Sequence, residues 1–229
     1  FMKRFFLLLF SFVGSLSFSQ KQYHFDYALI YDNPISVENE TKSNLYLINS
    51  KVNSFRTLVS FDKDSINASI RLIDYDGLFV NLNVKTEKFY EAETLSNVCN
   101  SVYRFSNKYK YKIKEYNFIK HQDTTINDTV YYHYSIKCNK SLSYQKRKKI
   151  VTSHYIIDKN SEQFKPFLYH TTVYNKWVET LELPNGIIKM KYDVNVEGKI
   201  IFKQELIKVI QINKFFTIPD ECDYTKSLK

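Results

Sequence analysis

The 229 residues carry 33 Lys and Arg against 24 Asp and Glu, a formal charge of +9, and 17% of them are aromatic. Only four Gly and four Pro stand beside 19 Tyr and 18 Phe, which excludes a disordered chain and favours strands around a large core. The basic residues are dispersed, so nucleic acid is not an expected partner.

With Met2 as the expected start, Lys3 and Arg4 precede an apolar run from Phe5 to about Val13. Gly14, Ser15 and the small–bulky–small run Ser17-Phe18-Ser19 lead into Gln20. This is the layout of a secretory signal peptide over residues 1–19, cleaved near Ser19. The run is short for a membrane span, and no Cys follows it for a lipid anchor. The expected product is exported, periplasmic or extracellular, and has no integral membrane segment. It forms one β-rich domain over residues 20–229, with a polar tail from about Asp220.

Tyr23 to Tyr31 reads as a strand with Tyr23, Phe25, Tyr27, Leu29 and Tyr31 on one face, ended by Asp32-Asn33-Pro34. After a polar loop to about Lys42, strands follow at Asn44–Ile48 and Ser54–Phe61. Ile66–Tyr75 and Leu78–Val84 flank Asp76-Gly77, a type I′ hairpin signal. Over Glu91–Asn107, the residues Leu95, Val98, Cys99 and Val102 recur at helical spacing and predict a covering helix. Tyr109–His121 and Thr129–Cys138 pair about Ile126-Asn127-Asp128. Ile150–Asp158, Pro166–Tyr174 and Trp177–Leu183 read as strands. Turns at Pro184-Asn185-Gly186 and Glu197-Gly198 then join Ile187–Val196 and Lys199–Ile212 into a meander.

Chemistry-bearing motifs are scarce. No nucleophile elbow, zinc-protease motif or glycine-rich phosphate loop is present, so neither a catalytic residue nor a cofactor is expected. The carboxylate pairs Glu179 and Glu182, and Asp62 and Asp64, have no reason to be buried. His121 and His133 come opposite each other if the hairpin loop has three residues, and Asp123 could join them. They are the nearest approach to a metal site, although a solvated pair at a hairpin tip is the plainer reading and no metal is assigned. His24, His154 and His170 each stand alone. The run Lys146-Arg147-Lys148-Lys149 is read as a solvated loop.

Cys99, Cys138 and Cys222 allow one disulfide and one thiol, or three thiols, with Cys138–Cys222 and Cys99–Cys138 the bridges considered. Tyr109, Tyr111, Tyr132 and Tyr134 form a candidate aromatic face. Filled, it is ordinary core; hollow, it holds an acyl chain or an apolar segment.

The ending Ser-Phe-Ser before Gln20 resembles signals of Bacteroidota secreted proteins. The long hairpins, the Leu183-Pro184-Asn185-Gly186 turn and the closing Phe216-Thr217-Ile218-Pro219 are similar in layout to the periplasmic lipoprotein-carrier fold and to GLPGLI-type secreted proteins. The resemblance implies a mainly β fold (α+β at the margin): a single large curved antiparallel sheet or half-barrel with one covering helix near residues 91–107. It implies a non-enzymatic cell-envelope protein binding an apolar ligand or lipidated cargo on the concave face, with lipid or lipidated protein as partner. A structural or protein-interaction module with a solid core is the alternative, and a hydrolase with a site not visible in sequence comes third.

Overall fold

The computed structural model describes residues 20–35 and 43–226. The expected signal peptide and most of the polar loop before Lys42 lie outside the described residues.

The first wing of the fold comprises β1 (Lys21–Ile35), β2 (Asn44–Ile48), β3 (Phe55–Phe61), β4 (Asn67–Asp74) and β5 (Leu78–Lys85). Helix α1 (Thr86–Glu91), β6 (Thr94–Ser96) and β7 (Val102–Arg104) follow. The second wing comprises β8 (Tyr116–Lys120), β9 (Thr124–Ile126), β10 (Thr129–Cys138), α2 (Leu142–Arg147), β11 (Thr152–Asp158), α3 (Thr171–Thr180), β12 (Ile188–Val194) and β13 (Ile200–Ile218).

These strands make one open sheet in the order β7-β5-β4-β3-β2-β1-β13-β12-β11-β10-β8. It is antiparallel apart from β6, which lies parallel to β13 through the pairs Thr94–Phe215 to Ser96–Thr217. The mainly β, single-sheet fold expected from the sequence is the fold found. Each wing is a meander of near-sequential neighbours, and the first and last strands pair at the centre from Lys21–Ile218 to Ile35–Lys203.

Two cores lie under the first wing. Phe25, Leu47, Val59, Ile70, Leu72 and Val80 bury one face against Phe89 of α1, Leu95 of β6 and Cys222. Each such side chain contributes roughly 1.5–3 kcal/mol when fully buried. Lys214 fastens α1 from below, its Nζ donating to the carbonyl oxygens of Phe89 (2.7 Å) and Ala92. On the opposite face Leu29, Tyr31, Tyr46, Ile48 and Leu58 pack on Phe164 and Phe167 of the chain that leads into α3. The second wing buries Phe118, Ile136, Tyr155, Ile157 and Ile188 against Val173 and Trp177 of α3 and against Leu183.

Strand β1 serves both faces, so its odd-numbered residues are not one surface. A register shift falls between Phe25 and Tyr27. Tyr23 and Phe25 join the first core, then Ala28 does, while Tyr27, Leu29 and Tyr31 pack on the other side. Asp32 also does not end the strand. Pro34 is accommodated in an irregularity between Asp32 and Ile35, where no ladder donor is asked of it.

Other expectations are corrected. Residues 91–107 are not a helix: after α1 the chain forms β6, a single 3₁₀ turn at Cys99–Ser101 and β7. Leu95 points into the first core while Val98 is exposed, so the apparent helical spacing is a zigzag that turns sharply at Cys99. Covering helices do exist, but the long one is α3, where Pro166–Tyr174 and Trp177–Leu183 read as strands. The β-branched run Thr171-Thr172-Val173 carries strand propensity, yet Val173 and Trp177, four residues apart, bury one helical stripe on the sheet. Residues 110–115 form a 3₁₀ segment rather than strand. The Asp76-Gly77 hairpin has a three-residue loop closed by Gly77 N–H donating to the Asp74 carbonyl (3.1 Å), and only Gly77 takes positive φ (129°).

The structure joins Cys99 to Cys222, with Cα atoms 5.3 Å apart, and leaves Cys138 as a buried thiol. Neither bridge considered from the sequence forms, because Cys138 lies on β10 in the far wing. Asp220–Cys222, placed by the sequence in a polar tail, form a 3₁₀ turn tied to the first core.

Candidate functional site

Where the two wings meet, a cavity of about 290 Å³ opens on the face that carries α3. Its wall on β12 and β13 is two adjacent cross-strand pairs, Lys191–Gln204 and Asp193–Phe202. Asn44 and Tyr46 of β2 supply the facing wall, and Tyr169 and His170 close one side. Alternation along the two strands brings these four side chains to one surface, since residues i and i+2 share a face.

The chain over Phe164–His170 is irregular, and its position is set by polar contacts from the sheet. Asn53 Nδ2 donates to the Pro166 carbonyl (3.0 Å) and the Lys165 N–H to the Ser50 carbonyl (2.8 Å). Buried Arg56 donates through Nε to Tyr75 Oη (3.1 Å) and through a terminal nitrogen to the Tyr169 carbonyl (3.1 Å), with its guanidinium 4.2 Å from the Tyr169 ring centre. Tyr75 Oη in turn donates to the Leu168 carbonyl (2.5 Å). Arg56 is thus a brace that presents Tyr169 and His170 to the cavity.

Lys191 is 4% exposed, and its Nζ lies 3.3 Å from the Asp193 carboxylate and 4.8 Å from the Phe202 ring centre. Burial lowers the Lys191 ammonium below the usual lysine range, and Asp193 opposes that shift. His170 keeps much of its surface open to solvent, yet the packing around its imidazole, and then the charge of Lys191, hold it well below the usual histidine range. The lining residues include no Ser, Cys or Thr nucleophile. They supply aromatic walls and a few fixed hydrogen-bonding groups, which is the make-up of a small-molecule site.

The aromatic face expected from Tyr109, Tyr111, Tyr132 and Tyr134 is divided. Tyr132 and Tyr134 pack beside the second-wing core under α3. Tyr109 and Tyr111 are 58% and 65% exposed, because the chain before β8 leaves the sheet as a 3₁₀ segment. Tyr111 lines only a broad open groove with Ile113, Asn175 and Val178. The two tyrosines of the cavity, Tyr46 and Tyr169, escaped the sequence reading, and His170, expected to stand alone, joins them. The signal available was the cross-strand alternation of Lys191 and Asp193 against Phe202 and Gln204.

The structure brings His121 and His133 together on the opposite face of the second wing, with ring centres 4.4 Å apart. The His121 N–H donates to the His133 carbonyl (2.9 Å). The hairpin turn is the two residues Asn127 and Asp128, both at positive φ, so Ile126 pairs with Thr129. A one-residue slip between β9 and β8 then sets the register that opposes the two histidines. His154, expected to stand alone, joins them: its Nδ1 is 3.0 Å from His133 Nε2. Asp123 does not join, because its carboxylate pairs with Lys159 (2.5 Å). The other isolated histidine, His24, stacks on Phe215 with ring centres 4.6 Å apart. The basic run is solvent-facing, with Lys146 paired to Glu197 at 3.7 Å.

No family model matches the chain, and no curated protein matches it. The resemblance to GLPGLI-type and Bacteroidota secreted proteins drawn from the sequence finds no support in these comparisons. Among solved structures, MucB overlaps with a TM-score of 0.32 at 7% identity over 81% of this chain and 53% of that one. The chain spans about half the length of the MucB chains it matches. A DUF1329 family protein from Desulfovibrio piger overlaps at a TM-score of 0.30 and 7% identity, over 92% of each chain. A domain described as an outer membrane lipoprotein-sorting protein from Vibrio parahaemolyticus gives 0.28 at 9% identity, over 83% of this chain and 85% of that one. Overlaps this slight carry no argument about function, which has to come from the residues themselves. Among the described residues no helix is long and apolar enough to cross a membrane.

Proposed function

We propose that this is an exported, non-enzymatic cell-envelope protein that holds one small apolar molecule, bearing a hydrogen-bonding end, in the cavity between its wings. The half-open pocket that Tyr46, Tyr169 and Phe202 line together with a fixed polar group is the observation that carries the reading. Lys191, Asp193 and Gln204 supply the polar end. At about 290 Å³ the cavity stands at the lower edge of the roughly 300–1,000 Å³ usual for small-molecule sites. That volume favours one acyl chain or an aromatic compound over a multiply acylated lipoprotein anchor. Signal-peptide cleavage near Ser19 and export belong to the same proposal and rest on residues 1–19.

Organic extraction of protein purified from its own host, followed by mass spectrometry, tests the reading. A stoichiometric apolar compound is expected from the wild type. Phe202→Trp narrows the cavity from its rim and should release that compound while leaving the circular dichroism spectrum unchanged. A wild-type protein that extracts clean and binds no fluorescent fatty-acid analogue would overturn the proposal in favour of an interaction module.

A further inference from the structure

The three histidines of the second wing are independent of the cavity. His133 alternates along β10 with Tyr132 and Tyr134, which pack on the α3 side, so the cluster occupies the other face of the sheet. His121, His133 and His154 come from three neighbouring chain segments, and one nitrogen from each lies within 4.8 Å of the others. His133 Nε2 and His154 Nδ1 are already 3.0 Å apart. Two imidazole nitrogens cannot both carry hydrogen on that line, so at least one of them presents a lone pair.

We propose that His121, His133 and His154 bind a single divalent transition-metal ion, Zn²⁺ or Cu²⁺. Imidazole nitrogen is a preferred donor for both ions, and Zn²⁺ sits about 2.0–2.1 Å from such a nitrogen. Tetrahedral geometry places such nitrogens about 3.3 Å apart, so ring rotations would open the 3.0 Å pair slightly and draw the third nitrogen inward. The surroundings supply an outer shell. Buried Ser135 places its Oγ 2.8 Å from His121 Nε2, and Tyr192 stacks parallel to His154 at 4.6 Å; the Tyr192 hydroxyl, 3.3 Å from His133 Nε2, lies on the inward side of the cluster. Such partners fix ring orientation. Tyr192 Oη or water would take the fourth position. The ion would link β8, β10 and β11 at the end of the sheet.

The test uses the protein without a polyhistidine tag, stripped with chelator and then titrated with Zn²⁺ or Cu²⁺ alone by calorimetry. One equivalent should bind and raise the thermal unfolding midpoint. Co²⁺ in place of Zn²⁺ should give the visible absorption of a four-coordinate nitrogen-rich site. His121→Gln and His154→Gln should each weaken binding by at least about tenfold, the lower end of what even an outer-shell change costs. Should His154→Gln fail to fold, His121→Gln at the strand end still decides the question. Binding of all three ions that is equally weak in wild type and variants would overturn the assignment and leave a stacked aromatic cluster.

Discussion

Cys99 and Cys222 are 123 residues apart in the chain and bonded in the fold, with Cα atoms 5.3 Å apart. The bond fastens the 3₁₀ turn after β6 to the turn after β13, beside Leu95 and Phe216 in the first core. A loop of this length predicts a large loss on reduction, about 2–5 kcal/mol for a native bridge. Thermal unfolding with and without reductant, and of Cys222→Ser, should show the same drop in midpoint. Cys138→Ser should not abolish the response to reductant. A midpoint unmoved by reductant would contradict the role assigned to the bond.

Gly186 and Gly198 both sit at positive φ, at 140° and 81°, but only one is confined. A Cβ on Gly186 would come 2.6 Å from Ile157 Cγ2 and 2.8 Å from the Asp158 carbonyl oxygen, whereas nothing lies within 4 Å of one on Gly198. Gly186→Ala should therefore lose more than about 3 kcal/mol, by adding overpacking to backbone strain. Gly198→Ala should lose about 1–2 kcal/mol, from strain alone. Urea unfolding of the pair checks the difference, and equal losses would refute it.

Trp177 pins α3 to the sheet, its indole N–H donating to the Leu183 carbonyl (2.9 Å). Trp177→Ala should cost about 3–5 kcal/mol by emptying the second-wing core. Trp177→Phe retains most of the packing but leaves that carbonyl without its donor, a loss of about 1–3 kcal/mol. Chemical denaturation that ranks the two variants in the reverse order would exclude the bond as a fastening.

Burial raises the hydroxyls of Tyr23, Tyr31 and Tyr155 above the ordinary tyrosine value of 10.0, and brings Tyr174 to about 12. At Tyr23 the neighbouring Asp74 adds to the effect. Their folded values exceed their unfolded ones, so the stability they contribute is complete below about pH 10 and is lost as the pH rises beyond it. In that range the unfolded chain releases protons that the folded chain retains. Melting temperature should fall steeply above pH 10, and tyrosinate absorbance should rise together with loss of sheet signal. Tyr155→Phe should make the decline shallower. A decline equally steep in that variant would count against the linkage.

Much of the sheet was legible because its signals are local. Alternation marks β4 as buried at every second residue, and Asn127-Asp128 and Gly198 mark turns whatever the strands later meet. The misread elements are those whose conformation is decided by what they touch. α3 carries a strand-like start and becomes helical because Val173 and Trp177 need one stripe against Ile157 and Ile188. Residues 91–107 carry helical spacing and become short extended pieces because β6 pairs with β13 and Cys99 reaches Cys222. The cavity was invisible for the same reason, since Tyr46 and Lys191 are 145 positions apart in the sequence.

By itself, the sequence determined a strand-rich chain with consecutive hairpins and a charged, signal-like start. Composition, alternation and turn chemistry act within a few residues of one another. Only the tertiary structure decided that the first and last strands join, that Cys99 finds Cys222, and that His154 completes a pair predicted across one hairpin. Which face a residue meets depends on the bulges in β1 and on the slip between β8 and β9. Because side chains alternate, a one-residue slip reverses every one after it, and nothing in a local pattern records where the slip will fall.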